Sequence, residues 1–384
     1  MSFTVQDRYS IDLSINNIQV DFSKTVLEEV LIIESIWQSL PVVEITIIND
    51  GELVEVNPLL DGSQIDLILN IFNTGGNEEL RMETVLWTHT IEPYSEGFRI
   101  NMKCILSAPD FLEGRIESVN GSSFDVFSTM ADRSRMTLIA DPSIDQQVWL
   151  RAGIRGNVWL NDVINRSWAS PESAFIYAVT RDRELLRYNL SERAARNPVW
   201  TFQPQRELNE VEIPDETILY KYPRFNSQSG LLNSFFGYGR SLSNFNLETG
   251  ELDVNSPKSF VKRTNFMNLN EDREVSQRHD SLGYNNALNV HENYFNAYTQ
   301  NMRLKSFYSS SVELLSEYVR PVRLLDRVTL QLYNESNRQT QDVYAGDYFV
   351  KNITTMLDPN KVTRRFTLTR EGINANAGTA GNSK

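Results

Sequence analysis

Apolar and polar residues alternate through much of the first hundred positions. In PVVEITIINDGELVEV, Val43, Ile45 and Ile47 share one face, and Val42, Glu44, Thr46 and Ile48 share the other. That period of two predicts a strand, and Asn49-Asp50-Gly51 after it predicts a hairpin turn. IDLILNIF is a short apolar run of strand length, and TVLWTHTI and FRINMKCIL alternate as well. Together they predict a twisted antiparallel β unit over residues 1–108.

The pattern changes near Pro109. In NGSSFDVFSTMADRS, Ser122 or Ser123 is placed to cap a helix that carries Phe124, Phe127 and Met130 at helical spacing. TLIAD reads as a short strand ended by Pro142. NVWLNDVINRSWA puts Trp159, Val163 and Ile164 on one stripe beside Leu160 and Trp168, predicting a second amphipathic helix. SAFIYAV, the turn TRDRE and LLRYNL predict a hairpin. Residues 109–200 thus read as a small α/β insertion that ends in the linker SERAARNPVW.

Strand patterns resume in ETILYKYPRF and in GRSLSNFNLETGELDV, the latter around a Glu248-Thr249-Gly250 turn. Residues 255–304 read as an extended loop followed by a helix through Tyr294, Tyr298, Met302 and Leu304. Ser309-Ser310-Ser311 reads as entry to a strand, SSSVELLSEY. Residues 201–254 and 305–374 form a second β unit, and 375–384 a disordered polar tail.

The two β units resemble one another. Leu59-Leu60-Asp61 precedes IDLILNIFN, and Leu324-Leu325-Asp326 precedes VTLQLYN. METVLWTHTI and FRINMKCIL then match DYFVKNITTM and RRFTLTREG in order. In the last strand Val362, Phe366 and Leu368 face one way, and Thr363, Arg365, Thr367 and Thr369 the other. A duplicated β unit suits a particular symmetry. Three copies of such a chain present six similar units, matching a sixfold ring while keeping threefold symmetry.

Composition narrows the function classes. The 384 residues carry 37 basic and 50 acidic side chains, a formal charge of −13. This balance opposes general binding to nucleic acid, which rests on Lys and Arg neutralising phosphates. No run of eighteen apolar residues predicts a membrane span. The start, MSFTVQDRYSIDLSI, lacks the basic and apolar segments of a signal peptide. A lone Cys104, on a predicted strand, excludes an internal disulfide and a multi-thiolate zinc site, and reads as a core thiol.

Candidate chemistry is sparse. His89, His279 and His291 are not paired at metal-ligand spacing, and no cofactor motif is present. Gly237-Tyr238-Gly239-Arg240-Ser241 matches neither a dinucleotide fingerprint nor a nucleophile elbow. Carboxylate pairs such as Glu52 with Glu55 leave a glycosidase arrangement open. Arg364, Arg365 and Arg370 form a small basic group in an acidic chain, readable as solvated surface or as subunit contacts.

Four stretches carry a family resemblance. They are GSSFDVFSTMADRS with GNVWLNDVINRSWASPESAFIYAVTRDRELLRYNL; YKYPRFNSQSGLLNSFFGYGRSLSNFNLETGEL; NVHENYFNAYTQNMRLKSFYSSSVELL; and GDYFVKNITTML with RRFTLTREGIN. In this order the chain resembles the baseplate hub proteins of contractile phage tails, the T4-type hub family related to the type VI secretion spike hub.

The resemblance implies a mainly β fold with α/β insertions and two tube-type antiparallel β-barrel domains related by duplication. It implies a structural homotrimer, not an enzyme, joining a hexameric tail tube protein to a trimeric central spike protein. Baseplate wedge proteins and a tape measure protein are further implied partners. It also implies assembly in the host cytoplasm, residence in the virion, and DNA passing without specific binding or membrane insertion. The family's fused spike helix and lysozyme domain have no counterpart here. Alternative readings are a tail-associated cell-wall hydrolase and a carbohydrate-binding β protein.

Overall fold

A computed structural model of the chain describes residues 3–5, 9–36, 38–50, 53, 59–73, 76–95, 97–170, 173–205, 214–227, 242–245, 250, 252–255, 284–285, 304, 307–308, 310–317, 320–332, 344–359 and 361–370. The expected loop and helix over 255–304 lie almost wholly outside these residues. So do the tail, Glu248 and Thr249 of the turn, the Gly237–Ser241 segment, Glu52, Glu55, His279 and His291. Of the turn, Gly250 is described; its φ of +69° is a conformation that glycine adopts without strain.

The first unit contains β1 (Phe3–Val5), β2 (Tyr9–Ile15), β3 (Ile18–Gln19), β4 (Thr25–Ser35), β5 (Val42–Asn49), β6 (Gln64–Asn73), β7 (Gly76–Tyr94) and β8 (Gly97–Leu106). Along β5 the predicted alternation holds: Val43, Ile45 and Ile47 are buried, while Glu44, Thr46 and Ile48 are half-buried. The hairpin expected at Asn49 does not form. β5 pairs with β4 and β8 instead. The Asn49 side chain accepts from the Leu53 amide at 3.1 Å and donates to Thr25 Oγ1 at 2.8 Å.

Between the units lie α1 (Pro109–Leu112), β9 (Gly114–Gly121), α2 (Ser123–Arg133), β10 (Thr137–Ala140), β11 (Gln147–Arg155), α3 (Gly156–Arg166), β12 (Phe175–Val179), β13 (Glu184–Asn189) and α4 (Leu190–Ala195). Ser122 caps α2 and forms a capping box with Asp125, which satisfies two otherwise orphaned N–H groups. The buried stripe of α2 is Val126, Phe127, Met130 and Ala131, with Phe124 only half-buried. Trp159, Leu160, Val163 and Ile164 bury one face of α3 as expected. The expected linker after residue 190 instead begins with α4. The antiparallel ribbon β9–β11 is an addition to the elements that the pattern predicts.

The second unit comprises β14 (Trp200–Pro204), β15 (Thr217–Ser227), β19 (Ser310–Ser316), β20 (Arg327–Leu330), β21 (Gly346–Asp358) and β22 (Lys361–Arg370). The strands β16 (Leu242–Phe245), β17 (Leu252–Asn255) and β18 (Tyr284–Asn285) make a small separate sheet. The order β14-β20-β21-β22-β19-β15 returns to β14, giving a closed six-stranded barrel. One expectation is corrected: the barrel is not wholly antiparallel, because β14 pairs parallel with both β15 and β20. Parallel neighbours need a crossover of about a dozen residues, and the segment 205–216 supplies one between β14 and β15.

The first unit has the equivalent order β2-β6-β7-β8-β5-β4, with the strands also met in the same sequence along the chain. Both units carry a β-bulge at the same point of the same strand, at Trp87 between Leu86 and Thr88 and at Lys351 between Val350 and Asn352. Around it each β21–β22 pairing has a β7–β8 counterpart at a constant separation of 264 residues: Leu86 with Cys104 matches Val350 with Leu368, and Ile91 with Ile100 matches Thr355 with Arg364.

The turn entering each hairpin repeats as well. Leu60 N donates to Ser63 Oγ and Arg323 N to Asp326 Oδ2, and Gly62 and Leu325 both have positive φ. The true counterpart of Leu324-Leu325-Asp326 is therefore Asp61-Gly62-Ser63, not Leu59-Leu60-Asp61. The turn selects a left-handed third residue and an accepting fourth side chain, not a Leu-Leu pair. Likewise, the counterpart of Phe366 is Met102.

β4 pairs with β21, which joins the two units into one continuous sheet of 14 strands. Two cores lie on either side of this junction. β12 is buried on both faces: Phe175, Tyr177 and Val179 enter the first core, and Ile176 and Ala178, with Ala174 just before the strand, line the second. The period of two along one strand thus divides the molecule's interior. β22 crosses the same boundary lengthwise, with Val362 in the first core and Phe366 and Leu368 in the second.

Candidate functional site

Between Val362 and Phe366, on the same inward face of β22, stands Arg364, which is 1% exposed. A buried guanidinium needs a partner, because an uncompensated charge there costs several kcal/mol. Its Nη2 pairs with Glu78 of β7 at 2.5 Å, its Nη1 donates to the Arg320 carbonyl at 2.5 Å, and its Nε donates to Thr355 Oγ1 at 3.3 Å. Glu78 is shared: its other oxygen takes Arg181 Nη2 at 2.5 Å. Arg181, in the β12–β13 turn, also donates its backbone N–H to Glu34 of β4 at 2.9 Å. One network of two acids and two bases therefore ties together both units and the insertion.

The electrostatics follow from burial. Desolvation pulls Arg364 down to about 10, aided by nearby Arg181 and opposed by Glu78. Burial pushes the Glu34 carboxyl above its ordinary range, against the pull of the Arg181 guanidinium and N–H. The network is a joint of two acids and two bases, with Glu34, Arg181 and Arg364 buried and Glu78 half-buried.

Strand parity separates the three arginines singled out by sequence. Arg364 and Arg370 point inward; Arg365, between them, is exposed. Arg370 lies over the Tyr348 ring at 4.5 Å and donates to the Ala345 carbonyl at 3.0 Å. They form no common surface patch, and of the three only Arg365 is free to meet another subunit. Sequence held the signal for Arg364, since it shares parity with Val362 and Phe366, but not the identity of its partner.

Two further buried arginines hold the insertion. Arg151 reaches Glu117 at 2.9 Å and the carbonyl of Asp110 at 2.9 Å. Arg187 donates to the Asp141 carbonyl at 2.6 Å and to Ser123 Oγ at 2.5 Å, with its guanidinium 4.2 Å from the Phe175 ring centroid. Asp145 accepts from Ser123 Oγ at 2.7 Å and from Trp168 N at 2.7 Å. This Ser–Asp contact is sealed from solvent and has no histidine beside it among the described residues, so it reads as ordering the helix cap rather than a nucleophile. Cys104 is buried on β8, and desolvation raises its thiol to about 12, which leaves no thiolate at neutral pH. Among the described residues no group of three or more His, Cys, Asp or Glu is placed to hold a metal ion. No helix among them is long and apolar enough to cross a membrane.

What the described surface offers is strand edge. β6 meets β7 only as far as Val85, opposite Gln64, so among the described residues Thr88–Tyr94 pair on one side only, with β8. Trp87, Ile91 and Tyr94 are 55%, 37% and 47% exposed there. β14 meets β15 only over Thr217–Tyr220, so among the described residues Arg224–Ser227 pair on one side only, with β19. Tyr222 is 76% exposed.

This architecture, two barrel-like β units in one sheet around an α/β insertion, is a known one. By sequence, no family model and no curated protein matches the chain. By structure, it shares its fold with a tail protein from Neisseria meningitidis MC58, at TM-score 0.59 and 10% identity over 96% of this chain and 98% of that one. The 43 kDa tail protein of prophage MuSo2 from Shewanella oneidensis gives 0.60 and 9% over 94% and 98%. The E. coli c3393 protein is a component of the type VI secretion system with structural similarity to the T4 bacteriophage tail proteins gp27 and gp5. It gives 0.51 and 8% over 93% of this chain and 76% of that one. The mainly β fold expected from the hub resemblance is the observed one, and it is the fold of these tail and secretion proteins.

Proposed function

We propose that the chain is the structural hub of a phage tail baseplate. Three copies present six similar β units to a hexameric tail tube and a threefold face to a central spike, nucleate assembly and form part of the DNA conduit. The observation that carries this reading is the internal repeat: same strand order, same bulge, same entry turn, fused by β4–β21. A chain built for catalysis has no need of two such units. Burying ion networks at their junction favours a fixed relative orientation over mobility.

The tail tube, central spike, baseplate wedge and tape measure proteins are the partners under this reading, with Arg365 offered to a neighbouring subunit. The virion tail is its place, after assembly in the host cytoplasm. The excess of acidic residues keeps DNA phosphate from adhering to the bore. No catalysis is assigned to this chain, and wall-degrading activity belongs to other subunits.

Electron microscopy and sedimentation of the purified protein, alone and with tail tube, test the reading. A threefold ring that docks on the tube is expected. A stable monomer that clears cell-wall substrate in a zymogram overturns it.

A further inference from the structure

The internal repeat has a gap in it. In the second unit the half of β21 beyond β20 is covered by β4, in the register Ile353–Glu34, Thr354–Ile33, Thr355–Ile32, Met356–Leu31 and Leu357–Val30. The equivalent half of β7 in the first unit, His89–Pro93, has nothing on that side among the described residues. Burial shows the difference at matched positions. Thr355 is 0% exposed and its counterpart Ile91 is 37% exposed, and Leu357 is 0% exposed where its counterpart Pro93 is exposed.

The donor strand shows the complementary gap. The counterpart of β4 is β15, since Ile32 faces Val43 as Phe225 faces Val312, and Val43 and Val312 each face the matched residues Cys104 and Leu368. The half of β4 that covers β21 corresponds to Pro223–Ser227, the half of β15 that has no second neighbour among the described residues. Among the described residues the chain thus has one such junction made internally, plus one acceptor edge and one donor edge with no strand beside them.

We infer that a second copy of this chain fills the gap: the free half of β15 in one molecule pairs antiparallel with the free half of β7 in the next, copying the internal β4–β21 junction. The register is set by that template. It places His89 opposite Ser227, Thr90 opposite Asn226, Ile91 opposite Phe225, Glu92 opposite Arg224 and Pro93 opposite Pro223. These pairs suit one another. Glu92 and Arg224 are both exposed and opposite in charge, and Ile91 meets an aromatic ring, the combinations that stabilise cross-strand neighbours. The two prolines, which lack a donor, fall at the position of Val30 and Leu357, the last pair of the template, where the ladder ends in any case. Such a contact is head-to-tail, so repetition closes a ring when the rotation permits. Closure at three copies rests on the hub reading above.

Cross-linking tests the junction directly. Opposed residues of an antiparallel pair bring their Cβ atoms to about 4.5–5.5 Å, close to disulfide reach. Cys104 is buried and does not compete. Chains carrying Glu92→Cys mixed with chains carrying Arg224→Cys should give a covalent dimer on oxidation, while neither gives one alone. Sedimentation supplies the second measurement. Glu92→Arg and Arg224→Glu should each raise the concentration needed for assembly about tenfold, and the two together should restore it. A chain that assembles normally but yields no mixed dimer, and is indifferent to both reversals, overturns this junction and leaves the hub reading standing. A chain that stays monomeric alone and with tail tube overturns both.

Discussion

Replacing Arg364 by Met tests whether the boundary between the two cores is held by charge. Methionine keeps most of the side-chain length and removes the guanidinium. The change strips Glu78 of one of its two cationic partners, removes the Arg364 donor from Thr355 Oγ1, and leaves the Arg320 carbonyl with the Val322 N–H. Breaking a buried pair by removing one partner costs about 3–5 kcal/mol, mostly because the remaining charge is stranded. Here Arg181 still faces Glu78, which places the expected loss at the lower end, about 3 kcal/mol. Urea unfolding followed by tryptophan fluorescence measures it, and a cycle with Glu78→Gln isolates the pair. The double variant should be less destabilised than the sum of the singles by about 1–3 kcal/mol, since the two residues are in contact. A single-variant loss under about 1 kcal/mol, or strict additivity, would refute the claim that this pair bridges the cores.

Three other outcomes are expected. Phe366, 0% exposed and edge-on to Phe202 at 5.1 Å, should cost about 3–5 kcal/mol as Ala in the same unfolding experiment; a loss under about 1 kcal/mol would mean its face is not core. Glu34 has a raised folded pKa, so its contribution to stability is fully present below the ordinary carboxylate range and is lost as the pH climbs through the raised value. Subtracting the stability of Glu34→Gln from that of the unaltered protein, by unfolding at a series of pH values, should give a difference that falls over that window; a flat or rising difference would contradict the burial argument. Gly156 opens α3 with its Cα so close to α1 that an added Cβ would lie 2.2 Å from the Asp110 carbonyl oxygen, so Gly156→Ala should markedly lower the melting temperature in calorimetry, and an unchanged value would show that α1 can retreat.

Local pattern was enough for a good part of this molecule. The alternation in β5 and β22 requires one wet and one dry face, and Ser122 with Asp125 marks the start of α2 whatever surrounds it, because these signals act between residues a few positions apart. That two β units repeat was also legible. Their alignment was not: Leu-Leu-Asp occurs twice by coincidence, and the real equivalence lies in hydrogen bonds and a positive φ that very different residues, Gly62 and Leu325, both adopt. Only the tertiary structure decided that Arg364 is interior. Its parity is written in the strand, but the carboxylate that makes burial tolerable, Glu78, lies 286 residues away. A charge is admitted to a core only where the fold delivers its counter-charge, and no local pattern states which distant residue that will be.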